Sequence, residues 1–572
     1  MKKQNTIQYI LMGLFLLGIH AWSFAQEYSL TLNISDQETE EPLNGVTVLI
    51  TPCNCGGISN ASGIFSKRLP KGKYQLRVEY LGYGTQILDV ELNKSENFVV
   101  AMPVEEEQLS EVVLLAQKQN QNVESPQMGV LELNVRDLIK VPTALGEFDV
   151  LKSITLMAGV NSSGDISNGV SIRGGSLDQN LLLYDGAPVF NPTHLFGLFS
   201  VFTPDVISGV DIYRANIPAK YGGRIASVLE IRVKNPYTDS FKLEGGIGLI
   251  SSRLTLTAPI IKDKLMLIAG GRSGFSDILF PLLIPRLKNT KANFIDSTVK
   301  LLYLLNANNQ ITYTNFLSND FYQLDLISSI ENIVAESNQY DFKTRNHSLK
   351  WLHTFTNETN LTGRLVHSNY KPQNLFPEID SDNIIKFTSQ IQYSSAQLEY
   401  TDSKKEALSY YAGFEMKRYQ IRPGSLDPGT GTTINPVQLN KETGFESSAY
   451  ANLDWKPLPD LTFSTGLRLT QFALIGPFDE AQYDADGLYE GVKSFGNQET
   501  VSSYFNPEPR LGLNYKLREN TSVKMSYARI FQYIQNIYNT NTPLPTSRWK
   551  VSDRYITPKK KQYLWGRSLP RF

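Results

Sequence analysis

From residue 238 onward the chain alternates apolar and polar side chains over long stretches. In "LTFSTGLRLT", Leu461, Phe463, Leu467 and Leu469 fall on one parity, and Thr462, Ser464, Gly466, Arg468 and Thr470 on the other. "AYANLDWK" sets Ala449, Ala451, Leu453 and Trp455 against Tyr450, Asn452, Asp454 and Lys456. "TSVKMSYA" sets Val523, Met525 and Tyr527 against Ser522, Lys524 and Ser526. A period of two predicts strands that gather their apolar side chains on one face. The links between them alternate in length. "TDSKKEA", "KPLPD" and "REN" are short, whereas "IRPGSLDPGTGTTINPVQLNKETG" and the stretch 475–509 are long. Barrels of the outer membrane have short turns at one rim, long loops at the other, and strands that are apolar outside and polar inside. A soluble sandwich shares the period but needs neither this alternation nor strands of this length. With about 10 residues per spanning strand plus loops, the region 238–572 has room for roughly 12 to 16 strands.

Before residue 238 the pattern changes twice. Residues 27–103 break into short β-prone pieces, among them "VTVLI", "KYQLRVEY" and "TQILDVEL", separated by Gly, Pro, Asn and Asp turns, with no helical period. They predict a small all-β sandwich. Residues 104–126 are acidic, then apolar, then rich in Gln and Asn, which reads as a linker. Within it "LSEVVLL" (Leu109, Ser110, Glu111, Val112, Val113, Leu114 and Leu115) is β-prone, suited to joining the open sheet edge of a partner or to opening the next domain. Residues 127–235 predict a small α+β unit. "FDVLKSITLMAGV" fits a short helix with Phe148, Leu151, Ile154 and Leu156 near one face, and "NLLLYDG" fits a buried strand closing on an Asp-Gly turn. The fold class read from the chain is therefore mainly β: an N-terminal sandwich, an α+β unit and an antiparallel transmembrane barrel.

The first 25 residues carry Lys2 and Lys3, an apolar run from Tyr9 to Ile19 and small residues at Ser23 and Ala25, the organisation of a secretory signal peptide cleaved after Ala25. No later stretch is long and apolar enough for a spanning helix. A net charge of −1 gives no reason to expect nucleic acid as a partner. The two cysteines, Cys53 and Cys55 in "CNC", read as thiols in a turn, with a metal pair or a strained bridge as alternatives. His347 and His353 share a strand face and are expected in an aromatic belt rather than on a metal, and "YDADGLYEG" is expected to be an acidic outer loop rather than a calcium loop. Lys559, Lys560 and Lys561 read as a solvated run, and Pro570 and Arg571 are expected to spoil the final strand. No nucleophile–base constellation, phosphate loop or cofactor motif stands out, so neither an enzyme nor a resident cofactor or metal is expected.

Two stretches carry a family resemblance. "SIRGGSLDQNLLLYDGAPV", with Arg173, Gly174, Gly175, Asp185 and Gly186, resembles the plug-domain signature of TonB-dependent outer-membrane transporters. "VDIYRANIPAKYGGRIASVLEIRVK", with Arg214, Tyr221, Gly222, Gly223 and Arg224, resembles the later plug signature, although the usual Arg-Gly-Pro is replaced. "LSEVVLLA" stands where that family keeps its TonB box. Residues 27–103 resemble the carboxypeptidase regulatory-like domain, through "EPLNGVTV" and "ASGIFSKRLPKGKYQLRVEYLGY", an extension common in Bacteroidetes-type members. The resemblance implies a plug folded inside the barrel, with Arg173, Asp185, Arg214 and Arg224 in structural pairing there. It implies TonB as periplasmic partner, capturing residues 109–115, outer-membrane lipid around the barrel, and a small ligand of siderophore, cobalamin, glycan or peptide class. It places the barrel in the bacterial outer membrane and the N-terminal domain in the periplasm. The alternative is a binding or signalling receptor acting through its N-terminal domain. The family's barrels have 22 strands, so this reading expects further C-terminal strands beyond Phe572, and the function described is that of the full-length type.

Overall fold

The structure, a computed structural model, describes residues 27–103, 129–135, 149–275 and 290–570, apart from 54, 81–82, 158, 163–168, 195–196, 249, 325–328, 331–332, 335–336, 357, 379–381, 406, 432–433, 519–520 and 538–547. The expected signal peptide and the segment 109–115 lie outside the described residues. Contacts divide the chain into two units, Met1–Asp36 with Pro42–Glu105 and Gln37–Glu41 with Glu106–Phe572.

The first unit is a two-sheet sandwich. Glu27–Asp36 lies between Ile64–Pro70, antiparallel, and Glu96–Met102, parallel. The second sheet runs Cys55–Ile58, Thr47–Thr51, Gly72–Glu79, Gln86–Leu92. Alternation puts Leu30, Leu32 and Ile34 of one sheet against Val48, Leu76 and Val78 of the other, in an apolar core. The expectation of two free thiols is corrected: Cys53 and Cys55 form a disulfide, their Cα atoms held 5.1 Å apart by the turn leading into Cys55–Ile58.

The second unit contains a small mixed sheet and a large meander. The small sheet runs Ala187–Pro188, Asn180–Tyr184, Ser227–Val233, Ile207–Tyr213, Val130–Asn134. Its core collects Leu182, Val210, Ile212, Leu229 and Ile231 and the helix Val150–Thr155. Asp149 caps that helix, its carboxylate accepting from the Lys152 amide at 2.8 Å. Leu151 and Ile154 are buried as expected; Leu156 is not, because the helix ends at Thr155 and its capping residue points off the core.

In the meander, fourteen strands pair antiparallel in chain order from Lys242–Ile247 to Lys559–Pro570. The strand ends at 306 and 309, 356 and 359, 405 and 408, 458 and 461, and 518 and 521 fall at one rim, whereas those at 275 and 291, 324 and 338, 427 and 442, 475 and 500, and 532 and 559 fall at the other. The faces are inverted relative to a soluble protein. Leu467, Leu469, Leu453 and Trp455 are exposed, while Arg468 and Arg510 are among the largest fully buried side chains. This is the partition a lipid-embedded barrel wall requires: apolar outward, polar toward an interior that the small sheet occupies. One strand expectation fails. Lys559–Pro570 is a strand, paired with Thr521–Gln532 as far as Pro570 opposite Thr521. Proline is tolerated on an edge strand, and Lys559, rather than lying in solvent, turns inward onto Asp178 at 3.1 Å.

Leu469 sits on the outward face midway along Leu461–Ile475. Leu469→Arg is expected to destabilise the inserted protein by about 2–4 kcal/mol, the depth-dependent cost of a cation near the bilayer midplane. Urea unfolding from phospholipid vesicles measures it, and an unchanged midpoint would contradict the assignment of this face to lipid.

Candidate functional site

The α+β unit is keyed into the wall on two sides, and the glycine corners make both contacts. On the first side, Arg173 and Gly174 are both left-handed, with φ of 50° and 72°, which ends Val170–Ile172 abruptly. At Gly175 a Cβ would come within 2.4 Å of the Ala226 methyl, so glycine is needed for close backbone approach. The chain then forms Asn180–Tyr184 and turns through Asp185 and Gly186, again left-handed. A Cβ at Gly186 would lie 2.4 Å from an Arg364 nitrogen, so a side chain here would have to displace that guanidinium as well as take up a left-handed backbone. There Asp185 takes an ion pair from Lys300 at 3.0 Å and a hydrogen bond from Thr314 at 2.6 Å, and its carbonyl accepts from Ser348 at 2.9 Å. Burial pushes the Asp185 carboxyl up, but the Lys300 charge and these hydrogen bonds outweigh it and hold it below the usual carboxylate range. Asn346 and Ser368 donate to the Pro188 carbonyl at 3.1 and 2.8 Å.

On the second side the corner 218–224 is gripped by wall arginines. Arg468 donates to the Lys220 carbonyl at 3.2 Å, and Arg510 to the Tyr221 carbonyl at 2.8 Å. The Gly222 carbonyl accepts from Lys417 at 3.4 Å, and a Cβ at Gly222 would strike the Arg468 guanidinium at 2.5 Å. Behind them Arg468 pairs with Glu415 at 2.6 Å, Lys417 with Glu446 at 2.9 Å, and Arg510 with Glu508 at 3.1 Å. Three buried cations thus face three carboxylates, two of them buried and Glu415 partly so, and the plug corner presents backbone carbonyls to the cations. Gly223 is left-handed at φ 84°, Arg224 is buried with its guanidinium 5.3 Å from the Trp549 ring, and the Tyr221 hydroxyl donates to Glu230. Within the plug itself, the Arg173 and Arg214 backbone amides donate to the Gly159 and Gly129 carbonyls at 3.0 Å each.

Further polar keys carry no motif. His194, fully buried, donates to Asp296 at 2.7 Å and to Asp320, and Arg272 joins Asp296 at 2.8 Å. Burial would push the His194 imidazole down, but the two carboxylates outweigh it and raise it to about 9. Asp178, also buried, accepts from Gln532, from the Asn536 amide and from Lys559. No motif marks these partnerships, and Lys559, expected in solvent, is a member of one. The one readable sign is parity: Arg468, Asp296 and Lys300 occupy inward positions of alternating strands, where a charge must find a buried partner.

Toward the long loops the lumen is aromatic. Tyr322, Tyr340, Tyr370, Tyr393, Tyr419 and Phe472 belong to one cluster that reaches Phe190 of the small unit and Trp549, whose rings lie 5.3 Å apart. The residues set aside as metal candidates have other partners: His347 hydrogen-bonds Tyr313 at 2.8 Å, His353 hydrogen-bonds Asn309 at 2.9 Å, and Asp484 closes its own turn by accepting from the Asp486 and Leu488 amides.

A globular unit held inside a strand-built wall by buried ion pairs defines the class of plugged outer-membrane receptors. Residues 143–228 match the TonB-dependent receptor plug domain, 287–556 the TonB-dependent receptor-like β-barrel, and 33–114 the CarboxypepD_reg-like domain. The chain belongs to the TonB-dependent receptors, a family of outer-membrane receptors and transporters rather than enzymes. Among solved structures it is similar to the siderophore receptor PirA of Pseudomonas aeruginosa (16% identity, TM-score 0.51, covering 78% of this chain and 72% of that one). It is similar to the copper transporter OprC (12%, 0.56, 78% and 71%). It is also similar to the Serratia marcescens hemophore receptor HasR, solved with its hemophore HasA and heme (12%, 0.54, 78% and 70%). No curated protein matches the chain.

Two measurements check the keys. Glu446→Ala leaves Lys417 and Arg468 short of a buried counter-charge and is expected to cost about 3–5 kcal/mol, read as the urea midpoint of the detergent-solubilised receptor; a loss under about 1 kcal/mol would mean that water replaces the carboxylate. His194, raised to about 9 from 6.5, stabilises docking fully below pH 6.5 and loses that contribution as pH rises through 9. Protease protection of the plug should therefore decline above pH 9 in the wild type and show a flatter profile in His194→Gln.

Proposed function

We propose that this receptor imports a scarce ligand by TonB-driven displacement of its plug. The observation that carries the reading is the chemistry of the plug–wall contact. Both keyed corners rest on ion pairs and on hydrogen bonds to plug carbonyls, contacts that can open and be satisfied again by water at modest net cost. The ligand would enter between the long loops and rest on the aromatic surface around Phe190 and Trp549. The segment Leu109, Ser110, Glu111, Val112, Val113, Leu114 would add as a strand to TonB, with the N-terminal sandwich in the periplasm. The similar structures take different cargo, named as siderophore, copper and heme with its hemophore, so the reading commits to an importer and leaves the ligand among siderophore, cobalamin, glycan and peptide classes.

The test is uptake in the native host. Cells lacking the gene are expected to lose uptake of one member of a panel of ferric siderophores, heme, cobalamin, glycans and peptides. Deleting residues 109–115 should abolish that uptake while cell-surface binding of the same compound persists. Uptake that survives the deletion would overturn energised transport through this segment.

A further inference from the structure

The outward face of the wall is not uniform. Above the apolar band, on four adjacent strands, Asn338–Thr356, Thr359–Pro377, Ile384–Lys405 and Leu408–Asp427, the exposed parity becomes basic and amide-rich. Cross-strand register arranges three successive rows toward the long-loop rim. The first holds His347, His367, Ser394 and Arg418; the second Arg345, Asn369, Gln392 and Gln420; the third is formed by two pairs, Lys343 with Lys371 and Gln390 with Arg422. Five of these twelve are cations, with Asp341 as the adjacent acid, 2.6 Å from Lys343.

The rows are tied together rather than loose. Gln390 donates to Asn369 at 2.8 Å and accepts from Arg422 at 3.0 Å. The Gln420 amide, turned so that its oxygen faces the cations, accepts from Arg418 at 2.8 Å and Lys441 at 3.1 Å and donates to Gln392 at 3.2 Å. The patch is also one-sided. At the same rows the flanking strands carry Leu317, Asn319 and Ile295 on one side and Phe445, Ala473 and Ser503 on the other.

Its height identifies what it meets. Phe355 lies at the short-turn rim and Arg345 ten residues above it on the same parity. At about 3.3 Å per residue and a tilt near 40°, that separation is about 25 Å, the height of the apolar band of such barrels. Directly beneath the first row lie Leu349, Leu365, Ala396 and Met416, an apolar surface for acyl chains. Cations at that level face lipid headgroups, not the bulk solvent above the loops.

We propose that this patch binds a phosphorylated glycolipid of the outer leaflet. The arginines and lysines take its phosphates, Arg by paired N–H donors and Lys as point charges. The amides of Asn369, Gln392 and Gln420 take sugar hydroxyls, and the leucine row takes the acyl chains. The inference rests on the wall spanning the membrane and is independent of what the receptor imports.

The probe is lipid A in nanodiscs of phosphatidylcholine, with the full chain inserted. Wild type is expected to retain bisphosphorylated lipid A after extraction and washing in detergent with EDTA, and to retain the dephosphorylated form weakly. A Lys371→Gln, Arg418→Gln, Arg422→Gln variant should bind the phosphorylated form at least about tenfold less tightly. Lys456→Gln, near the short-turn rim, should bind as wild type does. Equal retention of both lipids, or equal binding by the triple variant, would overturn the site. Displacement by millimolar inorganic phosphate would reveal a soluble-anion site and overturn the lipid assignment. If the triple variant does not insert, as judged by heat-modifiable migration, the wild-type comparison of the two lipids decides alone.

Discussion

A peptide group in lipid has no water to bond with, and the arrangement of this molecule follows from that constraint. Every strand crossing the bilayer must give its N–H and C=O groups to neighbours, which the meander does between each strand and the next. Once the backbone is paired laterally, the two faces are free to differ. The face toward lipid must be apolar, so Leu453, Trp455, Leu467 and Leu469 are exposed without being a liability. The polar side chains are left to the interior, and an interior lined by Arg468, Lys417 and Asp296 cannot stay dry and empty. It calls for counter-charges and for a polar body to fill it.

The plug meets that need at its keyed corners through polar contacts set beside an apolar one, in which Tyr221 and Ile225 cluster with Ile530 and Tyr563 of the wall. Its own core is apolar, but Asp185, Pro188 and the 218–222 carbonyls meet the wall through charges and hydrogen bonds. Buried ion pairs contribute little net stability when both partners are present and cost much when one is removed. They therefore fix position more than they add strength, which is the combination a displaceable plug requires. The sandwich of residues 27–103 contrasts with this: its two sheets meet through Leu30, Leu32, Val48 and Val78, an interface built to stay closed.

Glycine acts at the same contacts. Gly186 and Gly222 are the points where plug backbone passes within reach of Arg364 and Arg468, and a methyl at either would collide with the guanidinium. The signature "RGG…DG" and the later "YGGR" are thus statements about how near the plug backbone comes to another surface. The same logic in the outward direction, where cations take the rim rows and leucines the rows beneath, matches the wall to the layers of the membrane around it.

What the sequence determined by itself is what depends on local period. Alternation gave the strands and their two faces, link lengths gave the two rims, and glycine pairs gave the plug corners, because these properties repeat within a few residues. What only the tertiary structure decided are the partnerships across long separations. His194 with Asp296 and Asp320, Asp185 with Lys300, and Lys559 with Asp178 join residues more than a hundred positions apart, and no local pattern encodes which buried charge meets which. The same reason explains the two ends: "KKKQYLWGRSLP" looks irregular until the Lys559 side chain is seen to turn from its strand onto Asp178 of the plug, and "CNC" looks like two thiols until the turn brings the sulfurs together. Periodicity is a property of the chain, whereas charge pairing in a filled lumen is a property of the assembled fold.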